Sequence, residues 1–208
     1  MSGQGIVLVG TGAIAQEIAE TFSDVGFVAA YCEPAFAAAS RVDLPLVTDP
    51  ARLRDTAASY VVAIADPADR ARLAAQLDAL GLRAAPPLVP STARVSRSAR
   101  LGDGTVLGHG VQVGPDSRIG RHGLVLHHAV FGHDARAGDH LLVGPGVHIA
   151  GDTVIGHGVA VLANATIAKG LVVGDNARIL PSAACFRAVP AGATMIGNPA
   201  RVLRRTRD

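Results

Sequence analysis

From Val89 onward, an aliphatic residue recurs at every sixth position. The positions reached are Val89, Val95, Leu101, Leu107, Val113, Ile119, Val125, Phe131, Ala137, Val143, Ile149, Ile155, Val161, Ile167, Val173, Ile179 and Cys185. These are 17 hexads without an insertion, and 14 of their leading residues are Val, Ile or Leu. The next residue is Gly in nine hexads, and the fifth is Ala, Ser, Thr or Gly in eleven. A period of six excludes one long amphipathic helix, whose apolar positions recur at three and four. It suits a repeating coil. Three hexads would make one triangular turn, with the leading aliphatic and the small fifth residue inside and Gly in the tight corners. Stacked turns would sit ~4.8 Å apart as parallel strands.

The chain before the coil has a different rhythm. Residues 5–10 (Gly-Ile-Val-Leu-Val-Gly) read as a buried parallel strand. Gly10, Thr11 and Gly12 open a G-x-G-x-x-A turn that ends at Ala15, and Gln16 to Phe22 follow with helical spacing. Such a turn brings backbone amides and a helix N-terminus to a phosphate. Phe27 to Tyr31 read as a second strand, with Glu33 just beyond it, placed to accept from a ribose or base. Tyr60 to Ala65 read as another strand. Asp66-Pro67 starts a helix that runs from about Ala68 to Leu80. This amounts to half of a dinucleotide-binding fold, which fits a mononucleotide or sugar nucleotide, or a scaffold with a vestigial pocket. Pro86, Pro87 and Pro90 mark the linker. The expected division is residues 1–85, an α/β half-Rossmann domain; 86–190, an all-β parallel β-helix; and 191–208, a tail.

Composition narrows the reading. Aromatics are 3% of the 208 residues and Trp is absent, as a core of thin stacked turns requires. The formal net charge of +2 and 17% charged residues are too balanced for a nucleic-acid binder, although the tail from Arg201 through Arg204, Arg205 and Arg207 is basic. Cys32 and Cys185 are the two cysteines, which makes a disulfide framework unexpected and fits a reducing cytoplasm. No signal-peptide pattern and no run of 18 apolar residues is present, so neither secretion nor a membrane is expected.

All eight histidines lie on the coil. Residues 18 apart should stack, His109 under His127 and His122 under His140, and most read as surface polar residues at corners. His133 differs. Asp134 follows it directly, and Gly151 stacks one coil above. An imidazole oriented by a carboxylate can take a proton near neutral pH, and a glycine amide can face a developing oxyanion. That pair suits acyl transfer from a thioester without a Ser or Cys nucleophile.

The short Gly10-Thr11-Gly12 domain, Gly132-His133-Asp134 and Gly197-Asn198-Pro199-Ala200-Arg201 occur together. With them the chain resembles the sugar O-acyltransferases of the sialic acid O-acetyltransferase type. That group includes bacterial nucleotide-amino-sugar N-acetyltransferases making diacetylated bacillosamine or N-acetylated perosamine. The resemblance implies a left-handed coil, a homotrimer with sites between neighbours, acetyl-CoA as acyl donor, no metal, and a sugar nucleotide on the N-terminal domain. It implies His133 as general base, Asp134 as its acidic neighbour and Gly151 as oxyanion donor. Ala163 and Asn164 would line the pantetheine path. Gly197, Asn198, Pro199 and Arg201 would lie near the nucleotide end of CoA. Gly10, Thr11, Gly12, Glu33, Asp66 and Arg70 would serve the sugar nucleotide. The chain departs from the family at Ile14, Leu126 and Leu142, where polar acceptor contacts are common, so an altered, more apolar acceptor site is expected. The aliphatics that point outward from the flat sides would be covered in the trimer. The γ-type carbonic anhydrases are also trimeric coils, but no third His lies two coils before His127 or His128, where Ser91 and Thr92 stand. A trimeric scaffold without activity is the remaining alternative.

Overall fold

The computed structural model describes residues 5–203. Arg204, Arg205 and Arg207 of the basic tail lie outside them. The N-terminal part is a parallel sheet of β1 (Ile6–Val9), β2 (Phe27–Tyr31), β3 (Leu46–Val47), β4 (Ser59–Val62) and β5 (Arg83–Ala84), in the order β3-β2-β1-β4-β5. Its helices are α1 (Ala13–Thr21), α2 (Leu53–Thr56) and α3 (Pro67–Ala79), with two 3₁₀ turns besides. The α3 start is as the sequence suggests. Proline needs no N–H at the first helical position, and the Asp66 carboxylate accepts from the Ala68 and Asp69 amides. The sheet is larger than the expected half. β3 and β5, each two residues long, are too short to show a period.

From Leu88 onward the chain winds into three stacked parallel sheets, with two-residue strands pairing 18 residues apart. We name the flat sides by their outward residues. Side one carries Val106, Leu124, Leu142, Ala160 and Arg178. Side two carries Gln112, Val130, His148, Thr166 and Ala184. Side three carries Arg100, Arg118, Arg136, Val154 and Val172. Each turn hangs on the next through backbone bonds such as Leu124 N–H to Leu141 O (2.8 Å) and Gly132 N–H to Ile149 O (2.8 Å). The leading hexad residues fill the interior, with Leu107, Val143, Ile149, Val161 and Ile167 at most 1% exposed.

The hexad glycines have a different reason from the one their corner position suggests. Gly114 has no positive φ. A Cβ there would stand 2.6 Å from the His133 backbone nitrogen of the coil above, so close stacking demands the glycine. The left-handed backbone falls two residues later, at Asp116, His122, His128, Asp134, His140, Asp152, Asn164, Asn176 and Ser182, with φ of 56–60°. Short polar side chains tolerate that region best after glycine.

The N-terminal domain covers side one. Leu8, Ala15, Ile18, Phe22 and Val61 pack with Val106, Leu124, Leu142 and Ala160 in one apolar cluster. This corrects the expectation that a partner subunit covers these outward aliphatics, because the chain covers them itself. Val154 and Val172 on side three remain exposed. Ile14, Leu126 and Leu142 belong to the same cluster, so their apolar character has a structural cause: they line the seam between the domains.

Two more histidines depart from the surface reading. His122 is 2% exposed and its ring stacks between Tyr60 (5.7 Å) and His140 (5.2 Å). Neither ring nitrogen of His122, nor Nδ1 of His140, has a partner among the described residues. Burial pushes the His122 imidazole down to about 4, with His140 and Arg121 adding to the shift, and burial lowers His140 too. Both rings are therefore neutral at pH 7. Between about pH 6.5 and 4 the unfolded chain binds the proton that folded His122 refuses, so stability falls as the pH drops through that window. The full loss is on the order of 3 kcal/mol. Thermal unfolding from pH 7 to 4.5 should show this decline, and His122→Phe should flatten it. An equally steep decline in the variant would place the acid sensitivity elsewhere.

Candidate active site

His133 stands on the edge between sides two and three, directly after the strand Val130–Phe131. Its Nδ1 lies 2.8 Å from Asp134 Oδ2. A carboxylate there accepts the Nδ1 proton and leaves Nε2 as the basic atom. Nε2 faces Gly151, where an added Cβ would stand 2.6 Å from it, so any larger residue would displace the imidazole. About half of the His133 side chain is exposed, and the base is open to a substrate.

The Gly151 amide differs from several of its counterparts. At those positions on the other edges the N–H is capped by the side chain one coil above. His109 N–H donates to His127 Nδ1 (2.9 Å), Arg121 N–H to Asp139 (2.7 Å), and His157 N–H to Asp175 (2.8 Å). Above Gly151 stands Lys169, a donor that cannot cap an N–H. Among the described residues the Gly151 amide has no hydrogen-bond acceptor. A free N–H beside a free imidazole nitrogen is the arrangement that stabilises an oxyanion while a proton is removed. Asp152, which the sequence reading passed over, joins them: polar atoms of His133, Asp134 and Asp152 lie within 4.8 Å of one another. Its carboxylate also meets Lys169 Nζ at 3.1 Å. Stacking at 18 residues could have revealed it, since Asp152 sits above Asp134 as Gly151 sits above His133.

A second concave region, of about 510 Å³, lies at the carboxyl ends of β1, β2 and β4. Gly10, Thr11, Gly12 and Glu33 line it together with Ile14, Tyr31, Phe36, Asp69 and Arg72. Gly10 has φ of 117°, open to glycine alone, and an added Cβ would lie 3.0 Å from the Ala63 carbonyl. Arg72 bridges Glu33 (2.9 Å) and Asp69 (3.3 Å) across the cleft. Sequence reasoning missed Arg72 and Asp69 and chose their neighbours. Asp66 is exposed and spends its carboxylate on the α3 cap, with Arg178 at 3.8 Å.

Arg70 is a correction. It is 1% exposed, outside the cleft, and its guanidinium donates to His122 O (2.9 Å), Ile64 O (2.7 Å), Ala65 O (2.9 Å) and His140 O (2.7 Å). Burial pushes it down to about 10, so it stays cationic at pH 7 and staples the N-terminal domain to two successive coils. Ala163 and Asn164 lie on the edge between sides one and two. Gly197, Asn198 and Pro199 close the top of that edge, held by Ala184 N–H to Gly197 O (3.0 Å). Arg201 is exposed in the final hairpin. These residues share one edge, and His133 stands on another, across side two. Cys32 and Cys185 are both free and buried. No helix of the described residues is long and apolar enough to cross a membrane.

The stacked parallel sheets match the left-handed β-helix acyltransferase fold. A histidine-to-asparagine mutant of perosamine N-acetyltransferase from Caulobacter crescentus, in complex with CoA and GDP-perosamine, superposes with a TM-score of 0.88 at 25% identity, over 96% of this chain and 97% of that one. The acetyltransferase domain of PglB from Neisseria gonorrhoeae, with acetyl coenzyme A, gives 0.88 at 23% identity over 97% and 100%. WeeI from Acinetobacter baumannii gives 0.70 at 19% identity over 96% and 99%. No family model matches the chain, and no curated protein matches it. The resemblance read from the three motifs thus extends to the whole fold of bacterial sugar acetyltransferases.

Arg70→Met should leave buried carbonyls unpaired, each costing about 1–3 kcal/mol. The expected result is a melting point lower by ~10 °C, with nucleotide affinity of the folded protein unchanged. A selective loss of nucleotide binding at unchanged stability would return Arg70 to the ligand site.

Proposed function

We propose that the protein transfers the acetyl group of acetyl-CoA to an amino, or hydroxyl, group of a sugar or nucleotide-linked sugar, with His133 as general base. The observation that carries this reading is the His133 Nε2, freed by the Asp134 bond and set beside the uncapped Gly151 amide. The acceptor's nitrogen or oxygen attacks the thioester carbon, its proton passes to Nε2, and Gly151 donates to the carbonyl oxygen. The C–S bond then breaks, and the departing thiolate takes the proton from the imidazolium. The acetyltransferases of similar fold, one holding CoA and GDP-perosamine, support both substrates.

The donor's path follows from the edges. A CoA held near Gly197, Asn198, Pro199, Ala163 and Asn164 reaches His133 by crossing side two diagonally. The descent from Ala184 to Val130 is three coil steps of ~4.8 Å. An extended pantetheine arm suits that span. The acceptor's nucleotide would occupy the cleft with Gly10, Thr11, Gly12, Glu33 and Arg72, and residues 1–85 would act as its binding domain. That domain rests on side one, opposite the His133 edge of the same chain, so cleft and base meet only between copies. We therefore propose a homotrimer working in the cytoplasm, with each acceptor cleft serving a neighbour's His133.

General-base help is typically worth ~10²–10⁴-fold. His133→Ala should lower kcat by about that factor while CoA still binds, and Asp134→Asn should cost less. A His133→Ala enzyme with near-full kcat at saturating substrates would refute the assignment. Light scattering should give three times the 21.1 kDa chain mass, and a monomer would refute the shared site.

A further inference from the structure

The left-handed corner of each turn needs a residue that tolerates φ near 57°, and the three edges fill it differently. One edge uses Gly110, His128, Asn164 and Ser182. Another uses Gly104, His122, His140 and Asn176. On the His133 edge three successive turns carry Asp116, Asp134 and Asp152. Glycine or asparagine would meet the backbone requirement equally well, as they do elsewhere in the coil. Carboxylates in register repel one another and lower stability. Backbone geometry therefore accounts for the position but not for the charge.

The charge falls on the atoms where the chemistry takes place. Asp134 is engaged by His133 Nδ1, and Asp152 brings a second carboxylate to within 4.8 Å of both. Lys169 offsets one negative charge from the exposed outer side. The Asp134 and Asp152 carboxylates and the Lys169 ammonium together leave the cluster around the imidazole with one net negative charge. An acceptor that arrives as a primary ammonium neutralises it, whereas a hydroxyl does not. Resting on the acetyl-transfer reading above, we infer that Asp152 is a specificity-determining residue of the His133 site. It holds the acceptor's nitrogen as an ammonium, and the reaction is therefore N-acetylation of a primary amine. The ammonium gives one proton to solvent. The free amine then attacks the thioester carbon, the second proton passes to His133 Nε2, and the C–S bond breaks. CoA leaves as its thiol after receiving that proton, and the products are an amide and free CoA.

Asp152→Asn is a clean probe, because asparagine keeps the left-handed corner and the backbone bond from residue 152 N–H to His133 O (3.0 Å). The assay uses GDP-perosamine as acceptor. Its hydroxyl counterpart, in which oxygen replaces the reacting nitrogen, serves as competitor. A hydrogen bond to a charged group is worth about 1.5–3 kcal/mol, or roughly 10-fold or more in affinity. Asp152→Asn should raise KM for the amine by ~10-fold while kcat changes much less, and the inhibition constant of the hydroxyl counterpart should not move. Lys169→Met, which frees the Asp152 carboxylate, should lower the amine KM, a shift of opposite sign that a merely structural role would not give. An unchanged amine KM in Asp152→Asn, or equal weakening of both compounds, overturns the Asp152 assignment while leaving acetyl transfer standing. A wild-type enzyme that binds CoA and acetylates neither compound overturns the acetyl-transfer reading, and the Asp152 role with it.

Discussion

The register of 18 residues per turn is the constraint on which the molecule rests. The strand N–H groups of each turn find carbonyls of the next turn, as Leu124 and Gly132 do, so an insertion within a strand would break the pairing there. The same register forces residues 18 apart to share an edge at close range. Where one turn must lie almost against the next, only glycine fits, as at Gly114 and Gly132. Where the corner turns left-handed, glycine shares the place with Asp, Asn, His and Ser. Chemistry can then be built by subtraction. A glycine at 151, with a lysine above it, leaves its own amide uncapped, and the imidazole from the turn below moves into the space.

The attachment of the N-terminal domain is the second determinant. Apolar residues of its sheet and α1 bury side one of the coil, and Arg70 fixes the angle by donating to carbonyls of two coils and of its own domain. A buried guanidinium is costly unless its donors are filled, and here four carbonyls fill them. The neutral stack of Tyr60, His122 and His140 completes that corner. The cleft at β1, β2 and β4 belongs to the domain seated on side one, and His133 stands on the edge between sides two and three. The proposed function accordingly rests on contact between copies.

The periodic parts of this fold could be read from the sequence, and the interdomain contacts could not. An unbroken period of six over 17 hexads specifies a coil, and the glycine turn at Gly10 and the Asp66-Pro67 start mark the α/β elements. The pairing of His133 with Asp134 is local, and Gly151 follows from the register, so this site was visible by counting. Arg70 and Arg72 are two residues apart on α3, and sequence alone does not say which faces the coil and which the cleft. The burial of His122 was hidden for the same reason, because Tyr60 reaches it from another domain. The outward aliphatics suggested an interface correctly but not the partner, which is the chain's own α1 and sheet.

The proposed sharing of sites between copies is tested most directly by mixed assembly. One variant keeps the cleft and lacks the base (His133→Ala), and the other keeps the base and has a disabled cleft (Glu33→Ala with Arg72→Ala). Each alone should be nearly inactive. Co-expressed and purified as mixed oligomers, they should regain acetyl-transfer activity, because some sites then combine an intact cleft from one chain with an intact His133 from its neighbour. Mixed oligomers no more active than the sum of the two variants would contradict the account and place cleft and base within a single chain.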